Sequence, residues 1–454
     1  MYWHLQVSVR LSLFVKSLPD LALVLPFFSV AYVFIYRNWL NSEACIQNIV
    51  HYYYTSIPLV KTDVWAEPFT MCLDPYWVNQ WLKNYGAGFA KRGFIGEIAT
   101  HLFDGQINLL VLNSIGFLVI LCIAYGIVFL LVNISCCKSK VEAALFVALI
   151  WLTPFGKSLV ETAADPLQII ILLMIGMALM ASKFRLKGLK LDAALISLYI
   201  VSILIHEGAF LLLLPAVIII GRRTWLWWLG IVASIVIIIL FSGADNMDLQ
   251  DLIANRLTGI NPHNNFELSY RAGGNLASQV SFSYNVKQEF TRYIKDPAEI
   301  FGQFSRTFML VFYLALCLSL WMQGFSGSAS KKFLKIWLLF FFVTLPFFLI
   351  AHDWVRYGII NLVSCLCCVA MNQNYHLEQG ISQDSELTKE RAVEIFTINS
   401  PWISMVLMFF LIGPHLNQAD IRTFPPQVLG LKYTYLAVLT ALTFTCNWRK
   451  RLAK

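Results

Sequence analysis

Residues 191 to 220 read LDAALISLYIVSILIHEGAFLLLLPAVIII, a nearly unbroken apolar run that has Asp192 at its start and His206 and Glu207 near its middle. One helix needs only about 20 residues to cross a bilayer, so this run is too long for a single comfortable pass. Lysine and arginine clusters flank both ends, and such clusters mark the cytoplasmic side of membrane helices. We therefore predict two short passes of about 15 residues each, with the turn at His206, Glu207 and Gly208 sunk below the membrane surface.

The composition of the whole chain agrees with that interpretation. Apolar residues make up 58% of the 454 residues and charged residues only 13%, whereas soluble domains are about one quarter charged. The sequence predicts an all-α polytopic integral membrane protein, one membrane domain over residues 1 to 454, with about twelve transmembrane helices. The predicted spans lie near residues 18 to 36, 109 to 133, 141 to 156, 167 to 182, 191 to 205, 207 to 220, 224 to 241, 305 to 322, 334 to 350, 357 to 371, 401 to 415 and 431 to 447.

The distribution of cations predicts the orientation. With a cytoplasmic N-terminus, 19 of the 34 lysines and arginines lie in inner segments, and only four lie in the short outer segments. Two long outer segments hold the remainder. This asymmetry predicts a multi-pass protein of the bacterial cytoplasmic (inner) membrane, with both termini cytoplasmic. The net charge of +8 then reflects contact with membrane lipid, and no nucleic-acid partner is predicted.

The two long outer segments, residues 37 to 108 and 242 to 304, are predicted to carry structure. The first is rich in tyrosine and tryptophan, as in PYWVNQWLKNYG from residue 75, which indicates short amphipathic helices on the outer leaflet. In the second, Leu249, Leu252, Ile253 and Leu257 form an apolar stripe that suits a helix packed over the membrane domain. We therefore expect both segments to cover the outer face.

The cysteines do not predict a metal site. Cys365, Cys367 and Cys368 have no histidine or acidic companions at the spacing of metal ligands. Cys45 and Cys72 share the first outer segment, where an oxidising compartment permits a disulfide, and the sequence leaves open whether they pair.

Ionisable residues interrupt the apolar runs at four places, and the predicted topology puts all four on the outer side. Charges at membrane depth are costly and usually line a cavity or pathway. The pattern therefore predicts one outward-facing polar pocket. The interrupting residues are Arg92 and Glu97, Glu161 and Asp165, His206 and Glu207, and His352, Asp353 and Arg356.

Helical spacing relates some of these residues. Glu161 and Asp165 are four apart, as are His352 and Arg356, so a continuous helix would present each pair on one face. Each group also has a structural interpretation. These are a headgroup anchor for Arg92, a solvated helix start for Glu161 and Asp165, a hydrogen-bonded turn for His206 and Glu207, and an internal ion pair for His352, Asp353 and Arg356.

An arginine-lined outer pocket suits transfer of a sugar from a polyprenyl diphosphate. The guanidinium fork pairs with phosphate oxygens and keeps its proton, so Arg92 and Arg356 would stabilise the leaving diphosphate. The glycines of NYGAGFAKRGFIGEI, residues 84 to 98, would let the backbone approach that headgroup. The proton acceptors that we consider are His352, oriented by Asp353, and the pair His206 and Glu207, where burial makes the carboxylate a stronger base.

With this architecture the chain resembles bacterial O-antigen and capsule repeat-unit polymerases and, more distantly, O-antigen ligases. The similarity lies in about twelve spans, the absence of a soluble domain, a large outer loop between spans seven and eight, and outer arginines. It implies cofactor-independent and metal-independent transfer of a glycan between polyprenyl-diphosphate-linked oligosaccharides. Arg92, Arg356 and Arg271 would hold the diphosphates, and a chain-length regulator protein is an expected partner.

Two alternatives stay open. The long first outer loop is similar to that of multi-spanning (GT-C type) glycosyltransferases that use polyprenyl-phosphate sugars, which implies Asp63 or Asp74 as the base and a divalent metal ion on Glu161 and Asp165. A flippase for lipid-linked oligosaccharide is the alternative outside enzymology. Because a transporter needs charged sites toward both faces, and the inner ends hold mainly peripheral cations, an enzyme is favoured.

Overall fold

The computed structural model describes a helical bundle. It covers residues 23–35, 75–82, 85, 92–134, 140–184, 186, 188–220, 225–240, 257–258, 291, 294–295, 297–323, 327–350 and 354–377. Several predictions fall outside these residues. They concern the spans at 401 to 415 and 431 to 447, the cysteines Cys45 and Cys72, and the site residues Asp63, Asp74, Arg271, His352 and Asp353.

Within the described residues the chain forms thirteen helices and one pair of two-residue strands. The helices are α1 (Leu25–Ile35), α2 (Pro75–Leu82), α3 (Gly93–Leu102), α4 (Leu109–Asn133), α5 (Lys140–Trp151), α6 (Pro154–Glu161), α7 (Pro166–Phe184), α8 (Gly188–Ile205), α9 (Ala209–Ile220), α10 (Trp225–Leu240), α11 (Pro297–Gln323), α12 (Gly327–Ile350) and α13 (Trp354–Leu377). The strands are β1 (Ile107–Asn108) and β2 (Leu257–Thr258).

The prediction of a helical protein with membrane-crossing segments is confirmed at this level. Helices α4, α7 and α8 are long and apolar enough to span a membrane, and α1, α9 and α10 are shorter apolar helices. Each predicted span that falls on described residues overlaps a helix. The apolar run from residue 191 is divided as predicted, because α8 ends at Ile205 and α9 begins at Ala209.

Helix α13 lies at the centre of the bundle. It packs against α4, α7, α9, α11 and α12, and all its residues from 356 to 371 are buried. A helix that is apolar on every side requires such surroundings. Its amide side chain at Asn361 donates through Nδ2 to Thr344 Oγ1 of α12 at 2.7 Å, which provides one polar contact between the two helices.

Helix α10 lies at the periphery of the described bundle. It packs on α8, where a Cβ at Gly230 would come within 2.7 Å of Ile196 Cγ2. Its other side exposes large apolar side chains, including those of Trp225, Trp228 and Ile239. An exposed apolar surface of this extent is typical of a contact with lipid or protein.

The predicted span at residues 141 to 156 is broken near its end. Helix α5 stops at Trp151, and Thr153 begins α6 by accepting a hydrogen bond from the Phe155 N–H at 3.3 Å, with Pro154 as the first helical residue. Proline at that position needs no backbone donor and has the φ angle of a helix. The chain therefore continues in a second, short helix, α6.

The strand pair joins the two long loop segments. Ile107 pairs with Leu257, and Asn108 with Thr258, in parallel register. The Asn108 side chain also accepts a hydrogen bond from the Leu110 N–H at 2.8 Å and so caps α4. The predicted helix is wrong at Leu257, which pairs as a strand, while Leu249, Leu252 and Ile253 lie outside the described residues.

Candidate functional site

Two arginine–carboxylate pairs lie at one end of the bundle, where α4, α7, α9 and α13 begin. We call this the site end. Arg92 precedes α3, Asp165 precedes α7, Glu207 connects α8 to α9, and Arg356 lies in the first turn of α13. The structure joins Arg92 to Glu207 and Arg356 to Asp165. Four of the residues that sequence reasoning assigned to one pocket therefore meet in pairs.

The first pair connects residues 115 positions apart in two parallel contacts. Arg92 Nε donates to Glu207 Oε2 at 2.8 Å, and Nη2 donates to Oε1 at 2.5 Å. The side chains are 11% and 20% exposed, respectively. Such a fork-to-fork arrangement fixes both groups and stabilises the ionised carboxylate. The guanidinium of Arg92 therefore has a carboxylate of the protein itself as a partner.

The backbone at Arg92 is in the left-handed region, with φ at 61° and ψ at 19°. A residue other than glycine pays on the order of 1 kcal/mol for this conformation. The glycines Gly93 and Gly96 that follow lie inside α3 and are buried. The strained backbone conformation therefore lies at Arg92 itself. The side chain of this residue contacts Glu207 in the turn at residues 206 to 208.

The second pair is more deeply buried. Arg356 Nη1 lies 2.5 Å from Asp165 Oδ2, and the side chains are 7% and 1% exposed. The other oxygen, Oδ1, accepts a hydrogen bond from the Leu167 N–H at 3.0 Å. Asp165 therefore caps α7, as a helix start requires, but it is buried rather than solvated.

The expectation that Glu161 and Asp165 share one helix face is wrong. Helix α6 ends at Glu161, and Ala164 has φ at 68°, which interrupts any continuous helix. A Cβ at Gly116 of α4 would come within 2.9 Å of the Ala164 backbone nitrogen. The absence of a side chain at Gly116 lets the 162–165 turn lie directly against α4.

Helix α2 covers the second pair. The Trp77 ring lies over the Arg356 guanidinium, with Cζ 3.9 Å from the ring centroid. Trp81 Nε1 donates to the Ala164 carbonyl at 2.6 Å, one residue before Asp165. Both tryptophans are buried in the described structure. They contact the cation and the backbone next to the carboxylate of the same pair.

His206 stabilises the turn that carries Glu207. Its Nδ1 accepts a hydrogen bond from the Gly208 N–H at 3.0 Å and lies 3.8 Å from Glu207 Oε2. Because Nδ1 accepts here, this hydrogen-bond pattern assigns the proton of a neutral ring to Nε2. The close approach to Glu207 is therefore not a charge pair. It corresponds to the hydrogen-bonded turn that the sequence left open for His206.

Glu97 connects α3 to the segment before it. Its Oε2 accepts from the Tyr85 backbone N–H at 2.9 Å, and its Oε1 lies 3.2 Å from His101 Nε2. Burial, followed by the nearby Glu97 charge, raises the pKa of the Tyr85 hydroxyl to about 12. Tyr85 is therefore protonated at physiological pH, and Glu97 connects α3 to Tyr85.

No group of three or more histidines, cysteines, aspartates or glutamates that could hold a metal ion occurs among the described residues. Asp165 is engaged by Arg356 through one oxygen and by the α7 backbone through the other.

Sequence reasoning missed the part of the site that α2 contributes. Trp77 and Trp81 lie four residues apart, on one helix face, and Gln80 is buried beside them. The signal was present in PYWVNQWL, where proline begins the segment and tryptophans recur at helical spacing. The same composition is typical of membrane-surface helices, so it does not by itself predict a contact with Arg356.

Comparisons with known proteins do not add a family to these observations. No protein-family model matches the chain, and neither a curated protein nor a solved structure matches it.

Proposed function

We propose that this chain is a multi-pass glycosyltransferase of the bacterial inner membrane, a polymerase that joins undecaprenyl-diphosphate-linked oligosaccharide repeat units at the outer face. The bidentate pair of Arg92 and Glu207 carries the proposal. In this pair an arginine, which can bind phosphate oxygens, lies beside a carboxylate, which can accept a proton. Both lie at the end of the bundle that the cation asymmetry predicts to face outside.

Glu207 is the proposed general base. Its side chain is 20% exposed, so an acceptor hydroxyl can reach it, and the Arg92 fork keeps it in the ionised form that accepts a proton. The structure changes the reason for choosing this residue. Burial alone favours Glu207 as a base, whereas the pairing with Arg92 also fixes the orientation of the carboxylate.

Arg92 is the proposed contact to the donor diphosphate. An acceptor hydroxyl oxygen attacks the anomeric carbon of the donor glycan, the bond from that carbon to the phosphate oxygen breaks, and the diphosphate leaves with the electron pair. The hydroxyl proton passes to Glu207. Arg92 then stabilises the charge that develops on the diphosphate, so that one arginine serves both the base and the leaving group.

Arg356 is assigned a positioning role in place of the diphosphate contact expected from the sequence. Its guanidinium binds Asp165, lies under the Trp77 ring and is 7% exposed. These contacts hold α2 over the start of α7. The position of α2 then decides what can approach the site end.

The test compares glycan length in cells that carry single variants. Glu207→Gln removes the base but keeps the size of the side chain, and it should leave single repeat units on the lipid at near-normal protein level. Glu142→Gln, in the first turn of α5, is the matched control and should give full-length glycan. Full-length glycan from Glu207→Gln would contradict the proposal.

The topology has its own test. Single-cysteine labelling should find positions 270 and 353 accessible from outside the cell, and positions 187 and 385 only after permeabilisation. Labelling of position 187 from outside would overturn the twelve-span arrangement and, with it, the outer location of the site end.

One observation favours the polyprenyl-phosphate-sugar transferase as a second candidate. Helices α2 and α3 of the first long loop contribute directly to the site, and Asp74 immediately precedes α2. In that enzyme class an acidic residue of this loop is the base. Loss of transfer in Asp63→Asn or Asp74→Asn, with full activity in Glu207→Gln and sensitivity to a chelator, would favour it. The flippase alternative predicts instead that lipid-linked units remain on the inner leaflet in all inactive variants.

A further inference from the structure

We propose that Gln80 is a substrate-contacting residue whose side-chain amide hydrogen-bonds to a hydroxyl or acetamido group of the sugar. This inference rests on the proposed function and names a residue that would recognise the sugar of the substrate. The residue belongs to α2, outside the arginine–carboxylate pairs already described.

Gln80 is 1% exposed, and neither its Nε2 nor its Oε1 has a hydrogen-bond partner in the described part of the chain. A primary amide has two donor hydrogens and one acceptor oxygen. Burying it without partners is strongly unfavourable compared with an apolar side chain of the same size. A polar group that lowers stability in this way is expected where a ligand supplies the missing hydrogen bonds.

The position of Gln80 on α2 connects it to the site end. Residues three apart in a helix are neighbours on its surface, so Gln80 lies next to Trp77. Trp77 stacks on Arg356, and Trp81 binds the Ala164 carbonyl. The unpartnered amide is therefore on the face of α2 that meets the Arg356–Asp165 pair.

The chemistry of the amide selects the class of ligand. It is neutral and offers both donors and an acceptor, which complements the hydroxyl and acetamido groups of a sugar. A phosphate offers only acceptors and attracts cations, which Arg92 supplies. Gln80 would therefore contact the glycan and Arg92 the diphosphate.

A second buried glutamine in the chain provides the matched control. Gln168 of α7 is 2% exposed, but its Nε2 donates to the Leu159 carbonyl at 2.6 Å and to the Thr162 carbonyl at 2.8 Å. This amide connects α7 to the end of α6. Gln80 and Gln168 thus share residue type, burial and an Oε1 without a hydrogen-bond partner in the described part of the chain, and they differ in whether the fold uses the amide nitrogen.

The experiment replaces each glutamine by methionine, which has nearly the same size without polar atoms. Full-length protein is purified in detergent, and its substrate is the lipid-linked single repeat unit extracted from membranes of a deletion strain. Gln80→Met should keep or raise the melting temperature and raise KM about tenfold. Gln168→Met should lower the melting temperature. Gln80→Asn, which keeps an amide, should recover part of the loss in KM.

Two results would overturn the inference. One is a KM within about twofold of the wild type for Gln80→Met; the other is a fall in melting temperature as large as that of Gln168→Met. Glu207→Gln distinguishes this failure from failure of the proposed function. If Glu207→Gln abolishes elongation while Gln80→Met behaves as wild type, only the role of Gln80 is wrong. If the wild-type protein does not elongate the extracted units, the proposed function is wrong.

Discussion

The two arginine–carboxylate pairs have the same chemistry and different surroundings. In the Arg92–Glu207 pair both carboxylate oxygens face the guanidinium, and the glutamate is 20% exposed. In the Arg356–Asp165 pair the aspartate is 1% exposed, and its second oxygen caps a helix. The first arrangement leaves a carboxylate accessible for chemistry. The second fixes helix ends to each other, so we expect the first pair to control activity and the second to control stability.

The largest expected effect is a loss of stability in Asp165→Asn. Asparagine still caps α7, so the substitution removes the charge that faces Arg356 and little else. An unpaired buried guanidinium costs about 3 to 5 kcal/mol. The melting temperature of the purified protein should fall clearly.

The double variant Asp165→Asn with Arg356→Met separates the charge effect from general damage. Removing both charges eliminates the unpaired group, so the double variant should be more stable than Asp165→Asn alone. If instead the loss of stability in the double variant equals the sum of the losses in Asp165→Asn and Arg356→Met, the pair does not stabilise the fold through its charges. The contrast between the two pairs would then disappear.

The next effect concerns activity at the other pair. Arg92→Lys keeps the positive charge but loses the planar fork that binds Glu207 through two nitrogens. Glycan elongation should fall about tenfold to a hundredfold at a normal amount of folded protein. Elongation is measured as glycan length by gel. If Arg92→Lys reduces the melting temperature as much as Asp165→Asn does, both pairs are structural and the distinction drawn between them is wrong.

The sequence predicts those parts of the site that depend on residues close together in the chain, and it does not predict contacts between distant residues. The division of residues 191 to 220 was predictable because the flanking cations and the length of the run act locally. The start of α7 was also predictable in principle, since Asp165 followed by Pro166 is a helix-start signal. We instead read Glu161 and Asp165 as one helix because their spacing fits. Local sequence gives no means of predicting the partner of Arg92, 115 residues away.

The role of α2 shows a second limit. Tryptophan occurs both at membrane surfaces and in buried contacts with cations, so composition alone does not decide between them. Trp77 and Trp81 are buried because Arg356 and the Ala164 carbonyl lie beneath them. Those partners come from other parts of the chain, and only the assembled bundle brings them to α2.

A smaller effect is expected at Gly116, which lets the turn before Asp165 approach α4. In Gly116→Ala the new Cβ would lie 2.9 Å from the Ala164 nitrogen, a backbone atom that cannot rotate away. We expect a loss of about 1 to 3 kcal/mol from overpacking, measured by denaturant unfolding. The matched control is Gly176→Ala in α7, where a Cβ would have nothing within 4 Å. Because alanine favours a helix over glycine, that variant should gain up to about 1 kcal/mol.

The smallest expected effect tests the hydrogen bond that ties α2 to the second pair. Trp81→Phe removes the Nε1 donor to the Ala164 carbonyl and keeps most of the aromatic surface. A buried hydrogen bond contributes about 1 kcal/mol, so the melting temperature should fall by a few degrees. Trp227→Phe in α10 is the control, since Trp227 is buried but its Nε1 has no hydrogen-bond partner in the described part of the chain. The control should lose only the effect of the smaller ring. Equal losses in the two variants would mean that the contact with Ala164 adds nothing, and that α2 is held over the Arg356–Asp165 pair by the Trp77 ring and apolar packing alone.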